Sequence, residues 1–355
     1  MKRIVWGMAA LALAAGPAAA QDSELAASCA GLPAQAQETC LTVAQAAESA
    51  QPQLGILIAG GNPVLGTAST RGVRLGWVPR VTAGVRLNAV FARLPDIVAD
   101  NASGAVQAVN DVVGIPAPAL GANVAVGLTQ GFSVAPTIGG VGAIDLLGSA
   151  TWLPFRALGV EGFDEETPDF AFGAGVRVGL LRESFLTPGV SVSVMYRRLG
   201  KVGFGAVCPG GESPAPGGGD GICTGDRGDV GEFQFDLTDW SYRGVVSKRL
   251  LGFGLTAGLG YDRYDSDVRY AFRYEQPGLP GTPTLTRVRR SPEVEVDNGR
   301  WSAFLNSSFT VLVATFTIEG GWMAGGDAIQ GFPSASDFDP GEGNFFGSLG
   351  LRLSL

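Results

Sequence analysis

Residues 344–355 read NFFGSLGLRLSL, and this stretch decides the fold. Every odd-numbered residue except Gly347 is phenylalanine or leucine, whereas the even-numbered residues are mostly small or polar and include Arg352. Successive side chains of a β-strand point to opposite faces of the sheet. The period of two therefore predicts a strand with one apolar face and one mixed or polar face.

The same alternation recurs along most of the chain. Between Gly72 and Asn88 the apolar residues share one parity and three arginines share the other, and the parity continues through Pro79. This stretch predicts one long strand interrupted at Pro79 or two strands joined by an odd-length connection. In all, the pattern predicts about twelve strands, with a range of about ten to fourteen. The candidates lie at 54–59, 72–88, 122–128, 144–152, 170–180, 190–196, 233–242, 253–261, 268–274, 301–305, 312–322 and 344–355.

Several stretches interrupt the strand pattern. Pro95 to Pro118 has mixed apolar spacing and predicts a loop with a short helix folded into the interior. A change of parity near Asp239 predicts a β-bulge, and Asn306 to Ser308 predicts a turn. Val207–Asp229 and Gln276–Pro292 predict long surface loops.

The second face of these strands carries glycine, serine, threonine and arginine. A soluble β-sandwich, which is the rival architecture, would expose lysine and glutamate to water on that face. The composition favours the crowded interior of a closed antiparallel transmembrane β-barrel, so the predicted fold class is all-β. The residues predicted to line the lumen are Arg74, Arg80, Arg86, Arg177, Arg197, Arg243, Asp145 and Glu319.

These charged residues allow two interpretations. Arginines along an open lumen would favour the passage of anions. Arginines paired with lumenal carboxylates would instead block the lumen. The sequence leaves both interpretations open.

The amino-terminal residues predict export. Lys2 and Arg3 precede an apolar run from Ile4 to Ala15, and Ala18 to Ala20 end a stretch typical of a signal peptide, residues 1–20. Removing it leaves 23 basic against 33 acidic residues, a formal charge of −10. The remaining chain lacks the run of about 18 apolar residues that a transmembrane helix needs, yet 46% of all residues are hydrophobic. A membrane-spanning barrel accounts for both observations.

The alternating strands, the leader and the amphipathic closing strand resemble Gram-negative outer-membrane β-barrel proteins. The resemblance covers the leader and residues 53–355, and is to porin-like and FadL-like proteins at the level of the superfamily. It implies an outer-membrane location, lipid and lipopolysaccharide as partners, and recognition of Phe345–Leu355 by the barrel assembly machinery. The terminal Leu355 departs from the family, which typically ends on an aromatic residue.

Residues 21–52 are rich in alanine, glutamine and glutamate and predict a helical extension, either periplasmic or folded into the barrel as a plug. The four cysteines form two local pairs, Cys29 with Cys40 and Cys208 with Cys223. In an exported chain such pairs predict disulfides, because no histidine is present to complete a metal site and neither pair has CxxC spacing.

The chain contains no histidine, which excludes Ser-His-Asp and Cys-His catalysis and histidine-ligated metals. The sequence therefore predicts no enzymatic activity and no cofactor, and its acidity argues against nucleic-acid partners. Asp337, Asp339 and Glu342 give only a weak match to a calcium loop, so no metal is predicted.

Two functions remain open. The first is a passive channel or transporter for small or hydrophobic solutes. The alternative is a structural or adhesive barrel with a closed lumen and long loops that bind a surface partner. The number of strands bears on the choice, because about eight to ten strands leave an interior that side chains fill.

Overall fold

The computed structural model describes residues 26–32, 34–74, 78–95, 112–134, 139–154, 170–204, 232–276, 286–290, 293–332 and 338–354. These residues form a helix, α1 (Ala34–Ala59), and thirteen strands. The strands are β1 (Val73–Arg74), β2 (Val78–Pro79), β3 (Val81–Pro95), β4 (Val112–Gly127), β5 (Ala143–Trp152), β6 (Phe170–Leu181), β7 (Gly189–Phe204), β8 (Glu232–Leu250), β9 (Phe253–Gln276), β10 (Thr286–Arg290), β11 (Glu293–Val311), β12 (Ala314–Met323) and β13 (Asn344–Ser354).

Ten of these strands close into an antiparallel barrel. The order is β3-β4-β5-β6-β7-β8-β9-β11-β12-β13, and β13 returns to pair with β3 from Val90↔Phe346 to Thr82↔Ser354. The short strand β10 pairs with the last residues of β9, past the part of β9 that pairs with β11. Among the described residues, β1 pairs only with β2. The fold class is confirmed, and the estimate of twelve strands is corrected to ten.

The two missing strands have specific causes. Leu54–Ala59 is predicted as the first strand, but it is the last part of α1. Residues 253–261 and 268–274 belong to one continuous strand, β9. The last turns of α1, Leu54–Ala59, are apolar and buried on all sides, so they lack the one-sided pattern that separates an amphipathic helix from a buried strand.

Three smaller expectations also change. Asn306–Ser308 lies within β11, and the turn is at Leu312 and Val313. β4 begins at Val112, so the part of Pro95–Pro118 from Val112 onward is a strand rather than a loop with a short helix, and 96–111 lie outside the described residues. Near Asp239, β8 continues without a bulge; the register shift is in β7, between Leu199 and Val202.

The outside of the barrel is apolar, as the alternation predicts. In β13, Phe345 and Leu349 are exposed, whereas Ser348 and Arg352 point inward and are buried. Aromatic pairs on neighbouring strands, Tyr196 with Trp240 and Tyr261 with Trp301, form a belt. A second belt includes Phe253 and Phe309, with ring centroids 4.7 Å apart. Such belts mark the two interfaces of a bilayer.

The two ends of the barrel differ in the length of their connections. At one end, here called the turn end, residues 128–142, 182–188, 251–252 and 312–313 join the strands. At the other, the loop end, the connections are 96–111, 153–169, 205–231, 277–292 and 324–343. In outer-membrane barrels the short turns face the periplasm and the long loops face outward.

Helix α1 lies inside the barrel. Residues 40–59 are all buried, on every side of the helix, and they pack against inward-facing side chains of the wall such as Leu237, Tyr264 and Val268. The helix ends where Gly60 adopts φ +62°, a left-handed conformation that glycine tolerates and that commonly ends helices. The plug alternative for the amino-terminal segment is therefore the one the structure shows.

The disulfide between Cys29 and Cys40 is confirmed, and both residues are buried. It joins the helical turn at 26–28 to the first part of α1. Cys208 and Cys223 lie outside the described residues, as do Val207–Asp229 and the leader at 1–20.

Gly55 lets the helix approach the wall. A Cβ at this position would overlap the ring of Tyr264, which is fully buried. Helix propensity alone would make Gly55→Ala stabilising by up to about 1 kcal/mol. We expect Gly55→Ala to destabilise instead by about 1–3 kcal/mol, because the ring must move in a packed interior.

The measurement is the midpoint of denaturant unfolding in detergent micelles. Gly320→Ala is the matched control, since a Cβ there meets nothing within 4 Å, and it should change stability by less than about 0.5 kcal/mol. A stabilised Gly55→Ala variant would show that the helix does not pack on Tyr264.

Candidate functional site: the plugged lumen

The lumen holds a plug made of α1 and the irregular segment 60–71, which we call the strap. The helix begins near the loop end, where Gln45 Oε1 accepts a hydrogen bond from the Ile329 amide at 2.8 Å. The strap ends near the turn end, where the Arg71 amide donates to Asp145 and its guanidinium reaches Ser354 Oγ at 3.4 Å. The plug therefore runs the length of the lumen, with its amino-terminal part at the loop end.

The upper part of the plug is held by apolar packing and by a hydrogen bond from the wall to a helix carbonyl that has no donor within the helix. Pro52 lies within α1 and has no N–H, so it cannot donate to the carbonyl of Glu48. Asn298 Nδ2 of the wall donates to that carbonyl at 3.4 Å instead. Arg300 Nη2 lies 3.6 Å from the Glu48 carboxylate, so the wall holds both the backbone and the side chain at this point.

The wall also caps the end of the helix. The last carbonyls of a helix lack partners within the helix and carry partial negative charge. Asn88 donates to the Leu57 carbonyl at 2.8 Å, and Thr151 donates to that of Ile58 at 3.3 Å. Arg86 donates to the Ala59 carbonyl at 3.2 Å and also to the Asn62 carbonyl.

Arg243 continues this cap into the strap. Its Nε donates to the Gly61 carbonyl at 3.1 Å and its Nη2 to the Gly60 carbonyl at 3.3 Å. The same guanidinium forms an ion pair with Asp262 at 2.8 Å. Two buried cations of the wall thus bind consecutive carbonyls where the helix gives way to the strap.

Glu319 binds the strap with the opposite charge. Its Oε1 accepts from the Gly61 amide at 3.0 Å and its Oε2 from the Asn62 amide at 2.9 Å. Ser348 and Asn306 donate to the same carboxylate at 3.2 and 3.4 Å. Glu319 is 3% exposed, so these four donors replace the water that a carboxylate would otherwise bind.

Asp145 and Arg177 hold the lower strap. They are paired residues on β5 and β6, and Arg177 Nη2 lies 2.5 Å from Asp145 Oδ2. Arg177 also donates to the Ser69 carbonyl at 3.0 Å. Arg352 on β13 donates to the Leu65 carbonyl and to Thr315 Oγ1. Charged groups of the wall therefore hold the strap through its backbone.

The residues predicted to line the lumen divide into three groups. Arg86, Arg177, Arg243, Asp145 and Glu319 contact the plug. Arg197 is buried in the wall and pairs with Asp239 at 3.1 Å. Arg80 is exposed at the turn end, and the side chain of Arg74 is not described. Arg80 follows the short hairpin of β1 and β2 and precedes β3. The alternation of inward and outward side chains along β3 therefore does not determine which way Arg80 points.

Sequence reasoning missed three partners. Arg352 lies on the polar parity of the closing strand, which was the available signal. Asp262 is fully buried because it lies on the inward-facing side of β9, where it pairs with Arg243. The backbone of the strap was missed entirely, since a carbonyl has no signature in a sequence.

The mouth of the lumen at the loop end has a small pocket that opens to solvent. Arg93, Glu342 and Asp339 are among its lining residues. Arg93 pairs with Glu342, and Asp339 Oδ1 accepts from the Gly341 amide. Within the described ranges, no group of three or more carboxylate or thiol side chains could hold a metal ion. Asp337 is not described.

Among the described residues, no helix is long and apolar enough to cross a membrane.

No protein-family model matches this sequence. The search of curated proteins likewise finds no match.

Solved structures similar to the chain are outer-membrane barrels. The outer-membrane protease OmpT of Escherichia coli has 15% sequence identity and a TM-score of 0.37, with 78% of this chain and 96% of that chain covered. The translocator domain of the autotransporter NalP of Neisseria meningitidis has 12% identity and a TM-score of 0.29, covering 79% and 88%. The TodX monoaromatic hydrocarbon channel has 10% identity and a TM-score of 0.30, covering 81% and 92%. The closed antiparallel barrel of this chain is established by its own strand pairing, and the outer-membrane location stays a prediction.

One prediction is corrected by this comparison. The sequence was taken to exclude an enzyme, but the similar structures include a protease. A barrel of this fold is thus compatible with enzymatic activity, and the fold is not specific to enzymes.

The contacts of Glu319 give a direct test of the plugged lumen. We expect Glu319→Ala to lower the free energy of unfolding by about 3–5 kcal/mol, because four buried donors lose their acceptor. Glu319→Gln should have a smaller effect, since its carbonyl oxygen still accepts. Both should speed hydrogen exchange at the Gly61 and Asn62 amides.

Glu342→Ala is the control. Its ion pair with Arg93 is solvent-exposed, so the loss should be below about 1 kcal/mol. Equal losses for Glu319→Ala and Glu342→Ala, or unchanged exchange at Gly61 and Asn62, would contradict the assignment.

Proposed function

We propose that this protein is a sealed outer-membrane barrel that acts as a surface platform rather than as an open pore. The observation that carries the proposal is the bonding of the strap. Its backbone carbonyls and amides, from Ala59 to Arg71, are bonded to buried arginines and carboxylates of the wall. An anion or small solute would have to displace these bonds in order to pass.

The arrangement favours the second of the two sequence-based interpretations of the lumenal charges. Arg177 is paired with Asp145 and Arg243 with Asp262, so these cations are neutralised by the wall as well as by the strap. Removing one partner of a buried pair costs about 3–5 kcal/mol, which opposes a transient opening. The passive channel predicted from the sequence would require the plug to move.

The loop end would then be the end of the protein that carries its adhesive or structural function. β8, β9 and β11 continue beyond the aromatic belt: β9 runs thirteen residues past Arg263, to Gln276. Tyr264 and Val268 on the inner side of this wall pack in the same apolar cluster as α1. The plug therefore supports the projecting wall from within. Such a rigid surface with long connections suits an adhesive or structural role.

Membrane location and export belong to the same proposal. The apolar exterior and the two aromatic belts support a position across the outer membrane, with lipid and lipopolysaccharide around the wall. Cleavage after residue 20 and recognition of Phe345–Leu355 by the assembly machinery remain predictions.

The deciding experiment is conductance in planar lipid bilayers. The wild-type barrel should leave the membrane at its baseline conductance. Arg86→Ala combined with Arg243→Ala should produce opening events, because consecutive carbonyls from Ala59 to Asn62 lose their donors. Arg80→Ala is the control and should behave as wild type, since Arg80 is exposed outside the lumen.

A steady, ohmic conductance from the wild-type protein would overturn the sealed barrel and favour the passive channel. A double variant that unfolds would be recognised by its circular dichroism spectrum. In that case, the conservative pair Arg86→Lys and Arg243→Lys, which keeps the charge but loses the planar fork, provides the same test.

A further inference from the structure

The turns at the turn end carry large apolar side chains at their tips. Leu251 and Leu312 are 101% and 94% exposed, and Phe185 and Leu186 in the β6–β7 connection are 84% and 73% exposed. Turn tips that meet water usually carry glycine, asparagine, aspartate or serine. Three separate turns break this rule at the same end of the barrel.

Two of these leucines also occupy a conformation that leucine disfavours. Leu251 has φ 50° and Leu312 has φ 54°, in the left-handed region where glycine and asparagine are preferred in two-residue hairpins. Neither side chain packs against the barrel, because both are almost fully exposed. The leucines are unfavourable for the turn itself, so an apolar surface outside the protein would account for them.

The height of the turns agrees with a membrane boundary. Leu312 follows Trp301 of the upper aromatic belt by eleven residues. That separation is about 36 Å along a strand, or about 28 Å across the membrane at a strand tilt of about 40°. An apolar band is about 25 Å tall, so the tips lie where acyl chains meet headgroups.

Basic residues surround these tips in a chain of net charge −8. Arg80, Arg182 and Arg249 are exposed there, and Glu183 is the one acidic residue among the described residues of the connections at this end. Arg182 Nη2 donates to the Gln130 carbonyl at 3.0 Å, and Arg249 lies 3.7 Å from Glu183.

Lys248 fixes the conformation of the β6–β7 turn. Its Nζ donates to the carbonyls of Ser184, Phe185 and Thr187 at 2.9, 2.7 and 3.4 Å. The ammonium thus holds Phe185 and Leu186 at the end of the barrel, beside the arginines. Apolar tips with adjacent basic side chains are complementary to an anionic lipid surface.

We propose that the turn end is a binding surface for anionic phospholipids. Leu251, Leu312 and the Phe185–Leu186 pair enter the boundary between acyl chains and headgroups. Arg80 and Arg182 contact headgroup phosphates. This surface is independent of the sealed lumen, and it holds whether or not the plug opens.

The first test measures depth. A spin label at Leu312→Cys, in protein reconstituted into phosphatidylglycerol vesicles, should be accessible to oxygen and protected from a water-soluble nickel reagent. The same label at Asp267→Cys, on the projecting part of β9, should show the reverse. A water-exposed label at position 312 would overturn the proposal.

The second test measures lipid preference with spin-labelled phosphatidylglycerol and phosphatidylcholine. Wild-type protein should favour phosphatidylglycerol, and Arg80→Gln with Arg182→Gln should reduce this preference by up to about five-fold per arginine. Arg93→Gln with Arg269→Gln removes the same charge from the loop end, away from the aromatic belt, and should retain the preference. Equal loss in both pairs would overturn the assignment to the turn end. Displacement of the lipid by inorganic phosphate at constant ionic strength would show a simple anion site instead.

Discussion

The structure depends on the hydrogen bonding of the strap, a segment whose few internal hydrogen bonds leave most of its backbone groups to the wall. The strap has neither a helical ladder nor a strand partner, yet it lies in an interior that largely excludes water. A buried, unpaired backbone group costs about as much as a lost hydrogen bond, so the wall must supply partners. Arg86, Arg243 and Glu319 do so with full charges, which form stronger hydrogen bonds than neutral groups. The charged side chains of the lumen are thus explained by the backbone groups of the strap that they bind.

The same requirement explains why charges are tolerated in the interior. Each arginine of the wall that the structure describes as buried is matched by a carboxylate on a neighbouring strand or by a carbonyl or carboxylate of the plug. Asp145 with Arg177, and Asp239 with Arg197, pair across adjacent strands. Buried ion pairs are weak evidence for stability because desolvation opposes the Coulomb attraction. Their clearer effect here is to fix one position of the strap, since arginines of the wall bind its carbonyls while Glu319 and Asp145 bind its amides.

Much of the fold could be predicted from the sequence, because alternation in a lipid-facing strand is a direct physical signal. Leu349 and Arg352 are on the faces that the pattern assigned them. The prediction failed where the interior of the barrel is apolar instead of polar. Leu54–Ala59 is surrounded by protein on all sides and so lacks a polar face. Above the membrane, apolar side chains such as Leu237 turn inward toward α1 while the exterior becomes polar, and this exchange was interpreted as a bulge. Arg86 and Glu319 could be identified as inward-facing, but their partners are main-chain atoms that no sequence pattern reveals.

The seam between β3 and β13 shows how the plug and the barrel form together. Thr82 and Ser354 are neighbours at this seam, although 272 positions separate them in the chain. Joining such distant segments carries a large loop-closure entropy, which slows folding. The plug contacts both sides of the seam, through Arg86 and Asn88 on β3 and through Arg352 on β13. The plug therefore bridges the two edges of the seam in the folded barrel, so that its own burial and the closure of the cylinder stabilise each other.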